Sequence, residues 1–365
     1  MKKFMYVFLV LVVLIGGFAF WVMSLPVFGS LSEGARLNRI KALPNYNQKD
    51  GAIDNLSLTK MKPDNVSYLD MLIAMIKGNK NSTPKKVLPH VKPDFSNIAG
   101  VKLTWFGHSS YFLQVDGLNI LVDPVFSART SPFSFLGNKN YEGTDFVKPE
   151  DFPDLDVVLI THDHYDHMDH QTILRLKDKT KHFVTSLGAG AHLERWGIPA
   201  EKITELAWGE ETNREGLKFL ARSSRHFTGR LFKRNQSLWS AFILQTANHK
   251  LYLGGDSGYD THFKQDGEKY GPFDLAILEC GQYNAYWPMI HMFPEQTVQA
   301  AIDLKAKVLL PVHWGKFTLA LHDWNEPVIR AVKKAEEMNL KITTPMLGEA
   351  VILDQNYPVK RWYLD

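Results

Sequence analysis

The sequence predicts an α/β protein in which two β-sheets pack face to face under a cover of helices, behind one apolar N-terminal helix. Short apolar strand patterns bounded by turn residues recur from about residue 101 onward and alternate with helical patterns. One of these apolar runs ends in a cluster of three histidines and two aspartates at 161–167, with one aspartate at ligand spacing. The 22 residues 4–25 carry no charge and are mostly apolar.

Residues 4–25 are long enough as a helix to cross a bilayer core of about 30 Å. The apolar region of a signal peptide is shorter, about 7–15 residues. We therefore predict an uncleaved membrane anchor at 1–25, with a cleaved signal and a buried helix of a soluble protein as the alternatives. Lys2 and Lys3 should stay in the cytoplasm, so we expect the rest of the chain on the extracytoplasmic side.

Residues 26–98 are rich in turn signals and predict an irregular extension. Within it, residues 68–77 have apolar side chains at helical spacing. We expect this helix to pack on the main domain, and a helix on a membrane surface is the alternative. The main domain should occupy 99–355, followed by a C-terminal tail at 356–365.

Regular elements of the main domain follow from the periodicity of its apolar residues. The predicted strands are 101–106, 111–115, 119–122, 156–161, 237–245, 249–254, 275–279 and 308–312. The predicted helices are 170–177, 294–304 and 326–338. Asp116 and Gly117 predict a tight turn between the second and third strands.

The composition is that of an ordinary globular protein, with 45% hydrophobic and 22% charged residues. A net charge of +3 is too small to indicate a nucleic-acid partner. Cys280 is the single cysteine, which excludes an intramolecular disulfide. We expect Cys280 to be a small buried hydrophobe.

The run at 161–167 is the strongest functional signal in the chain. It places His162, His164 and His167 beside Asp166 at the end of an apolar strand. Imidazole nitrogens and carboxylate oxygens are the usual ligands of zinc and similar divalent ions. The spacing His-x-His-x-Asp-His lets one loop serve two adjacent metals, so we predict a metal site here.

Three later residues are further candidate ligands because each follows an apolar strand pattern. They are His226, Asp256 and His313. Taken singly, each is more often a capping or loop residue. Together with the histidine cluster they indicate metal ligands supplied from several loops at strand ends.

This set of residues resembles the ligand motif of the metallo-β-lactamase superfamily, whose fold is a four-layer αββα sandwich. More narrowly, the chain resembles the N-acylphosphatidylethanolamine-hydrolysing phospholipase D branch, over about residues 101–349. The stretches that carry this resemblance are TWFGHSS (104–110), LVDPVF (121–126), LGAGAHL (187–193), GGDSGY (254–259), ECGQYN (279–284) and PVHWGKF (311–317).

The resemblance implies two divalent ions, with zinc expected and iron or manganese as alternatives. It implies that a hydroxide shared by the two metals is the nucleophile. The implied ligands are His162, His164 and His226 for one metal, Asp166, His167 and His313 for the other, and Asp256 as the bridge. Asp166 and Asp256 would then belong to the catalytic centre itself.

Other site residues are also implied by position. His291 matches a further active-site histidine that would contact the phosphate or assist the leaving group, and Asp123 matches an aspartate that orients the ligand loop. For His108 we favour a structural hydrogen bond, and Asp163 should face away from the metals. Six aromatic residues could line a lipid groove, although core or rim packing is the commoner role: Trp105, Phe133, Phe135, Tyr283, Tyr286 and Trp287.

The function implied is that of a membrane-anchored phosphodiesterase which cleaves N-acylphosphatidylethanolamine to phosphatidic acid and an N-acylethanolamine. The alternatives are a lactonase or another small-ester hydrolase of the same fold, and a catalytically idle metal-binding surface protein. The expected partners are a membrane and a phospholipid substrate. From the relatives, a homodimer is a reasonable expectation.

The predicted orientation has a direct consequence. In intact spheroplasts, external protease should digest the main domain, because that domain would lie outside the inner membrane. Immunoblotting against a C-terminal epitope would measure this, with a cytoplasmic protein as the control. A domain protected until the membrane is broken would reverse the assigned orientation.

Overall fold

The computed structural model describes residues 2–230 and 233–364. Within these residues the α-helices are α1 (Lys2–Met23), α2 (Gly34–Lys41), α3 (Tyr68–Lys77), α4 (His170–Leu176), α5 (Gly190–Arg195), α6 (His262–Lys269), α7 (Pro294–Asp303) and α8 (Glu326–Glu337). The strands are β1 (Tyr46–Asn47), β2 (Ala52–Ile53), β3 (Val101–Trp105), β4 (Tyr111–Val115), β5 (Leu118–Val122), β6 (Leu155–Ile160), β7 (Thr180–Ser186), β8 (Ile203–Leu206), β9 (Glu211–Arg214), β10 (Leu217–Ser223), β11 (Ser240–Gln245), β12 (Lys250–Leu253), β13 (Leu275–Glu279), β14 (Val308–Val312), β15 (Lys341–Ile342) and β16 (Ala350–Ile352).

Two seven-stranded sheets form the centre of the molecule. The first has the order β16-β3-β4-β5-β6-β7-β8 and the second the order β15-β14-β13-β12-β11-β10-β9. Each sheet is half antiparallel and half parallel: the change of direction falls at β5 in the first sheet and at β12 in the second. Strands β1 and β2 make a separate small hairpin in the N-terminal extension.

The local sequence explains how the central strands form. All six residues of β6 are buried, because parallel neighbours flank it and both faces of its sheet are covered. Between β4 and β5, Val115 pairs with Leu118. Asp116 and Gly117 fill this two-residue turn with φ of 50° and 89°, which confirms the predicted tight turn.

Three hydrophobic layers hold the sandwich together. Between the sheets, Leu103 and Leu159 of the first sheet share one core with Ile277 and Leu310 of the second. Outside the first sheet, α4 and α5 contribute Ile173 and Leu193 to a second layer. The third layer contains Phe263 of α6, Val298 of α7 and Ala331 of α8. The predicted αββα sandwich is therefore confirmed.

Most predicted elements of the main domain exist with ends shifted by one to three residues. Strands β4, β13 and β14 have the predicted bounds. Strands β7, β8, β9, β15 and β16 and helices α5 and α6 were not predicted. Of these, β8, β9 and β15 are short and partly polar, so they lack a clear apolar period. The extension at 26–98, predicted to be irregular, also contains α2 and the β1–β2 hairpin.

The expectation that α3 packs on the main domain was wrong. The helix has the predicted bounds, but none of its residues is buried. Apolar residues occupy nearly all positions around its axis, and Met71 and Ala74 are only half-buried. The chain around α3 contacts the main domain through residues outside the helix, including Lys60 and Asn79.

The C-terminal residues contribute to the main core. Trp362 and Tyr363 are buried, and the indole of Trp362 stacks on that of Trp314 with 5.4 Å between ring centroids. Trp314 directly follows His313, so this packing supports the strand end that carries a candidate ligand.

Replacing Trp362 with Ala should lower the free energy of unfolding by about 3–5 kcal/mol, because a buried aromatic side chain is lost and a cavity is left next to Trp314. Chemical denaturation of the full chain in detergent, followed by tryptophan fluorescence, would measure this. The control is Val359→Ala, since that side chain is 66% exposed. Equal stability of the two variants would contradict a core role for the C-terminal residues.

Candidate metal centre

The candidate ligands lie at one edge of the sandwich, where strands of both sheets end. The loop after β6 carries the histidine cluster at 162–167. From the second sheet, His226 follows β10, Asp256 follows β12, and His313 follows β14 directly. The structure therefore brings together all seven residues that the sequence suggested as ligands.

One group of ligand atoms comprises His162, His164, His226 and Asp256. Nδ1 of His164 is 2.9 Å from Nε2 of His162 and 3.3 Å from Nε2 of His226. Oδ2 of Asp256 is 3.8 Å from Nε2 of His162 and 3.6 Å from Nε2 of His226. All four ligand atoms lie within 4.8 Å of one another, which is compact enough for one ion.

A second group, next to the first, comprises His108, Asp166, His167 and His313. Nε2 of His167 is 3.7 Å from Oδ2 of Asp166 and 3.2 Å from Oδ2 of Asp256. Oδ1 of Asp256 is 3.2 Å from Nδ1 of His313. Asp256 therefore borders both groups, which is the position that a bridging carboxylate requires.

Unpaired polar atoms show that these residues fit a metal. Both carboxylate oxygens of Asp256 and Nε2 of His167 are buried and have no hydrogen-bond partner among the described residues. Leaving such groups unsatisfied costs on the order of 1–3 kcal/mol each, more for a charged one. A divalent cation would satisfy the carboxylate and the imidazole lone pair together.

The protonation states favour metal binding. Burial, reinforced by neighbouring imidazoles, holds the pKa of His162 and His313 well below the usual value. Burial also lowers the pKa of His226, against the opposing effect of Asp256. These imidazoles are therefore neutral at pH 7 and can offer lone pairs to a metal.

A local excess of negative charge surrounds His167. Burial disfavours the protonated form of this imidazole, but the carboxylates of Asp256, Asp166 and Asp123 outweigh burial and raise its pKa well above the usual value. Three carboxylates beside one imidazole form an environment that attracts a cation.

Asp123 holds the ligand loop in place. It lies just after β5, where its carboxylate accepts hydrogen bonds from the backbone N–H of Thr161 at 2.8 Å and from the Thr161 hydroxyl at 2.7 Å. Nδ1 of His167 lies 2.8 Å from the same carboxylate. Because Nδ1 is held by Asp123, Nε2 is the nitrogen of His167 that faces Asp256 and would bind a cation there.

The backbone at this edge adopts conformations that side chains rarely accept. His108, Asp123 and His313 have φ of 53°, 42° and 68°. The N–H of His108 donates to the carbonyl of Trp314 at 2.7 Å, and the N–H of His313 donates to the carbonyl of His108 at 2.9 Å. These bonds across the two sheets hold strained residues at the site.

His108 makes the structural hydrogen bond that we favoured: its Nε2 is 2.8 Å from Oδ2 of Asp166. Its ring also packs on His313 with 4.0 Å between centroids. His108 therefore orients one candidate ligand and contacts another, while its own Nδ1 is buried without a partner among the described residues.

His291 lies beside the two ligand groups. Its ring centroid is 4.9 Å from that of His226 and 5.2 Å from that of His313. Nδ1 of His291 is 3.3 Å from the buried carboxylate of Glu279, at the end of β13. Burial raises the pKa of Glu279 to about 7, against the opposing effect of His291.

Two buried residues near the metal ligands escaped the sequence analysis. Glu279 was noted only as part of a motif, although its place at the end of an apolar strand resembles that of Asp256 and His313. Arg230 is buried, and its guanidinium donates to the carbonyls of Asp163 and Met168 at 2.8 and 2.7 Å. No pattern in the sequence distinguished this arginine from a surface one.

Asp163 makes hydrogen bonds with residues that belong to neither ligand group. The Asp163 carboxylate accepts hydrogen bonds from the N–H of Gly229 at 2.8 Å and from the Ser237 hydroxyl at 3.0 Å.

The six aromatic residues named as candidates for a lipid groove differ in their exposure. Trp105 and Tyr283 are buried, as expected for packing. Phe133, Tyr286 and Trp287 are half-buried, and Phe135 is 72% exposed.

The fold and the ligand groups together define a metallo-hydrolase. A sequence model described as "Beta-lactamase superfamily domain" matches residues 118–314, more than half of the chain, and the chain belongs to this superfamily. The superfamily match and the relatives support a metal-dependent hydrolase.

Three relatives are similar to this chain over different shares of its length. An uncharacterized protein of Mycobacterium tuberculosis is 38% identical over 315 residues, 84% of each chain. An N-acyl-phosphatidylethanolamine-hydrolyzing phospholipase D of Caenorhabditis elegans is 34% identical over 66% of this chain and 73% of its own length. The outer membrane protein RomA of Klebsiella pneumoniae is 54% identical over 93 residues, which are 26% of this chain and 70% of that protein.

Solved structures agree on the fold. A metallo hydrolase from Ignicoccus hospitalis superposes with a TM-score of 0.54 at 24% identity, covering 70% of this chain and 99% of its own. A possible metal-dependent hydrolase from Veillonella parvula gives a TM-score of 0.56 at 16% identity, with 70% and 100% coverage. Both likenesses support the sandwich fold.

Replacing Asp123 with Asn should weaken metal binding roughly 10–100-fold, because His167 loses the carboxylate that orients it. Competition with a chromophoric chelator would measure the metal Kd, and circular dichroism would verify folding. Asp154→Asn is the matched control, since that aspartate is exposed in the turn before β6. An unchanged Kd in the Asp123 variant would contradict the orienting role.

Proposed function

We propose that the protein is a dinuclear metal phosphodiesterase of phospholipase D type that hydrolyses N-acylphosphatidylethanolamine. The observation that carries the proposal is the pair of adjacent ligand groups, with Asp256 in one of them and 3.2 Å from His167 and His313 of the other. The resemblance to the phospholipase D of Caenorhabditis elegans supports the choice of substrate.

In this proposal His162, His164 and His226 would hold one ion, Asp166, His167 and His313 would hold the other, and Asp256 would serve both. Divalent ions bound in this way, with zinc as the expected metal, would neutralise the phosphodiester and lower the pKa of water from about 15.7 toward 7. The chain itself contributes rigid ligands, since five of these seven side chains are buried, His164 is half-buried and Asp166 is 14% exposed.

Hydrolysis adds a water oxygen to phosphorus and breaks the bond between phosphorus and the oxygen of the N-acylethanolamine. The departing oxygen must receive a proton as this bond breaks. His291 is placed for this role because Glu279 occupies its Nδ1 and raises its pKa against the effect of burial. Its other ring nitrogen then carries the proton to be donated.

The N-terminal helix fits a membrane substrate. α1 is long and apolar enough to cross a bilayer, and its most apolar stretch is not buried against the described part of the protein. In the proposed function this helix anchors the enzyme to a membrane, with the main domain on the extracytoplasmic side, and so raises the local concentration of phospholipid substrate.

We expect the metal-replete full chain, incubated with vesicles that contain N-acylphosphatidylethanolamine, to release phosphatidic acid and N-acylethanolamine. Mass spectrometry of the lipid products would identify both the reaction and the bond that is cleaved. A chelator should abolish the release. Turnover of a lactone or a small ester, with no lipid turnover by a protein that retains two metals, would replace this proposal with the small-ester alternative.

The matched variant for this assay is Asp256→Asn. It removes the charge between the two ligand groups while keeping the shape of the side chain, so metal content and activity should fall together in a folded protein. Elemental analysis would measure the metal content, and circular dichroism would verify that the variant is folded. Full activity in the variant would reject the bridging role.

A further inference from the structure

Helix α3 presents apolar side chains to solvent along its length. None of its ten residues is buried, and Ile76 is 77% exposed. The side chains that are more than half exposed are Tyr68, Leu69, Leu72, Ile73, Met75 and Ile76. A contiguous apolar surface of this kind marks an interaction site, because a soluble surface rarely keeps it without a function.

Capping interactions nevertheless define where helix α3 begins and ends. The Ser67 hydroxyl accepts a hydrogen bond from the N–H of Asp70 at 3.1 Å, and the Asp70 carboxylate accepts one from the N–H of Ser67 at 2.8 Å. Gly78 ends the helix with φ of 58°. A helix of ten residues is marginal in water unless its apolar face is covered. The covering surface is not supplied by the described part of this chain.

The chain before α3 is tied to the metal edge. The Asn55 side chain donates to the carbonyl of His226 at 2.8 Å and accepts from its N–H at 3.1 Å. Further along, the N–H of Lys60 donates to Sδ of Met289 at 3.3 Å, two residues before His291. The segment that precedes α3 therefore contacts the loop of His226 and the loop of His291.

The chain after α3 returns to the same edge. The Asn79 side chain donates to the carbonyl of Leu321 at 3.0 Å and to the Asp323 carboxylate at 2.8 Å. Leu321 lies in the loop that follows β14 and His313. α3 is thus held from both ends by loops of the metal centre.

The end of α1 is joined to this edge as well. The indole N–H of Trp196 donates to the carbonyl of Pro26 at 2.6 Å, and Arg230 donates to the carbonyl of Val27 at 2.9 Å. The same guanidinium binds the carbonyls of Asp163 and Met168 in and beside the histidine loop. The apolar helices α1 and α3 therefore attach to the same end of the sandwich.

Charge also distinguishes the segment around α3. Residues 60–86 contain six lysines and two aspartates, a net charge of +4, whereas the whole chain carries +3. Lysines beside an apolar helix favour the surface of a bilayer with anionic lipids. A symmetric contact between two copies of this segment would instead bring two +4 charges together, which is unfavourable.

We propose that α3 and its flanking lysines bind the headgroup region of the bilayer that α1 enters, so that the metal edge faces the membrane surface. This inference rests on the proposed function for the role of α1 and deepens it. A phospholipid would reach the metal centre from the membrane plane, and the exposed Phe135 and Leu136 would lie near the same surface, because Phe133 of their loop packs on Phe28 just after α1.

The test uses the full chain in nanodiscs that contain phosphatidylglycerol. Ile73→Cys would carry an environment-sensitive dye, and Cys280 can remain because it is buried. The control is Ala247→Cys, an exposed position in the turn after β11. That strand begins beside Thr161 and runs away from the metal edge, so its turn lies at the opposite end.

A dye at position 73 should show blue-shifted emission and quenching by doxyl-labelled lipids, whereas a dye at position 247 should show neither. Water-like emission at position 73 would overturn the proposal. Blue-shifted emission without lipid quenching, together with cross-linking between copies, would overturn it in favour of a protein interface. None of these readouts depends on catalysis, so they stand even if the proposed substrate is wrong.

A second pair of variants tests the consequence for turnover. Leu69→Glu with Ile73→Glu should reduce turnover of vesicle lipid roughly tenfold or more relative to turnover of a water-soluble short-chain phosphodiester. The protein should stay folded, because both side chains are exposed. Ala247→Glu with Asn248→Glu adds the same charge at the opposite end and should leave the ratio unchanged. An equal ratio in both double variants would overturn the membrane role of α3.

Discussion

The Asp123 carboxylate accepts three hydrogen bonds, two from Thr161 and one from His167, and so fixes the histidine loop to the end of β5. The site depends on this constraint because the loop belongs to the first sheet, whereas Asp256 and His313 come from the second. A loop free to move by an ångström would separate His167 from Asp256, which lie 3.2 Å apart. The core between the sheets and the bonds at Asp123 therefore act together: the core sets the distance between the sheets, and Asp123 sets the loop.

Burial then determines the chemistry of the assembled groups. The same low-dielectric edge lowers the pKa of His162, so this imidazole becomes a neutral ligand, and it raises the pKa of Glu279 against the opposing effect of His291. The two carboxylate oxygens of Asp256 are buried without hydrogen-bond partners among the described residues. Buried unpaired carboxylate oxygens are rare in folded proteins, and a bound cation would stabilise them. The site is therefore prepared for a cation by the way in which its polar atoms are left unpaired.

The N-terminal residues are connected to this edge by specific polar contacts. Arg230 binds the carbonyl that follows α1 and two carbonyls at the histidine loop, and Asn55 binds the backbone of His226. These contacts place the apolar helices and the ligands at the same end of the molecule, which the proposed action on a membrane substrate requires. The N-terminal extension thus contributes to the architecture of the active edge, although it lies outside the superfamily match at 118–314.

The sequence by itself determined the class of fold, the apolar N-terminal helix and the candidate ligands, because local signals report them: the periodicity of β13 and β14, the Asp116–Gly117 turn, and histidines crowded after an apolar run. It did not determine that α3 stands exposed, since helical periodicity shows that a helix forms and not what covers it. Nor did it reveal Arg230, whose partners Asp163 and Met168 lie more than 60 residues away in the chain. It also did not reveal Glu279, whose buried carboxylate meets His291 only in the folded chain. Only the tertiary structure decided these points, because burial and long-range hydrogen bonds arise when the two sheets and the extension pack together.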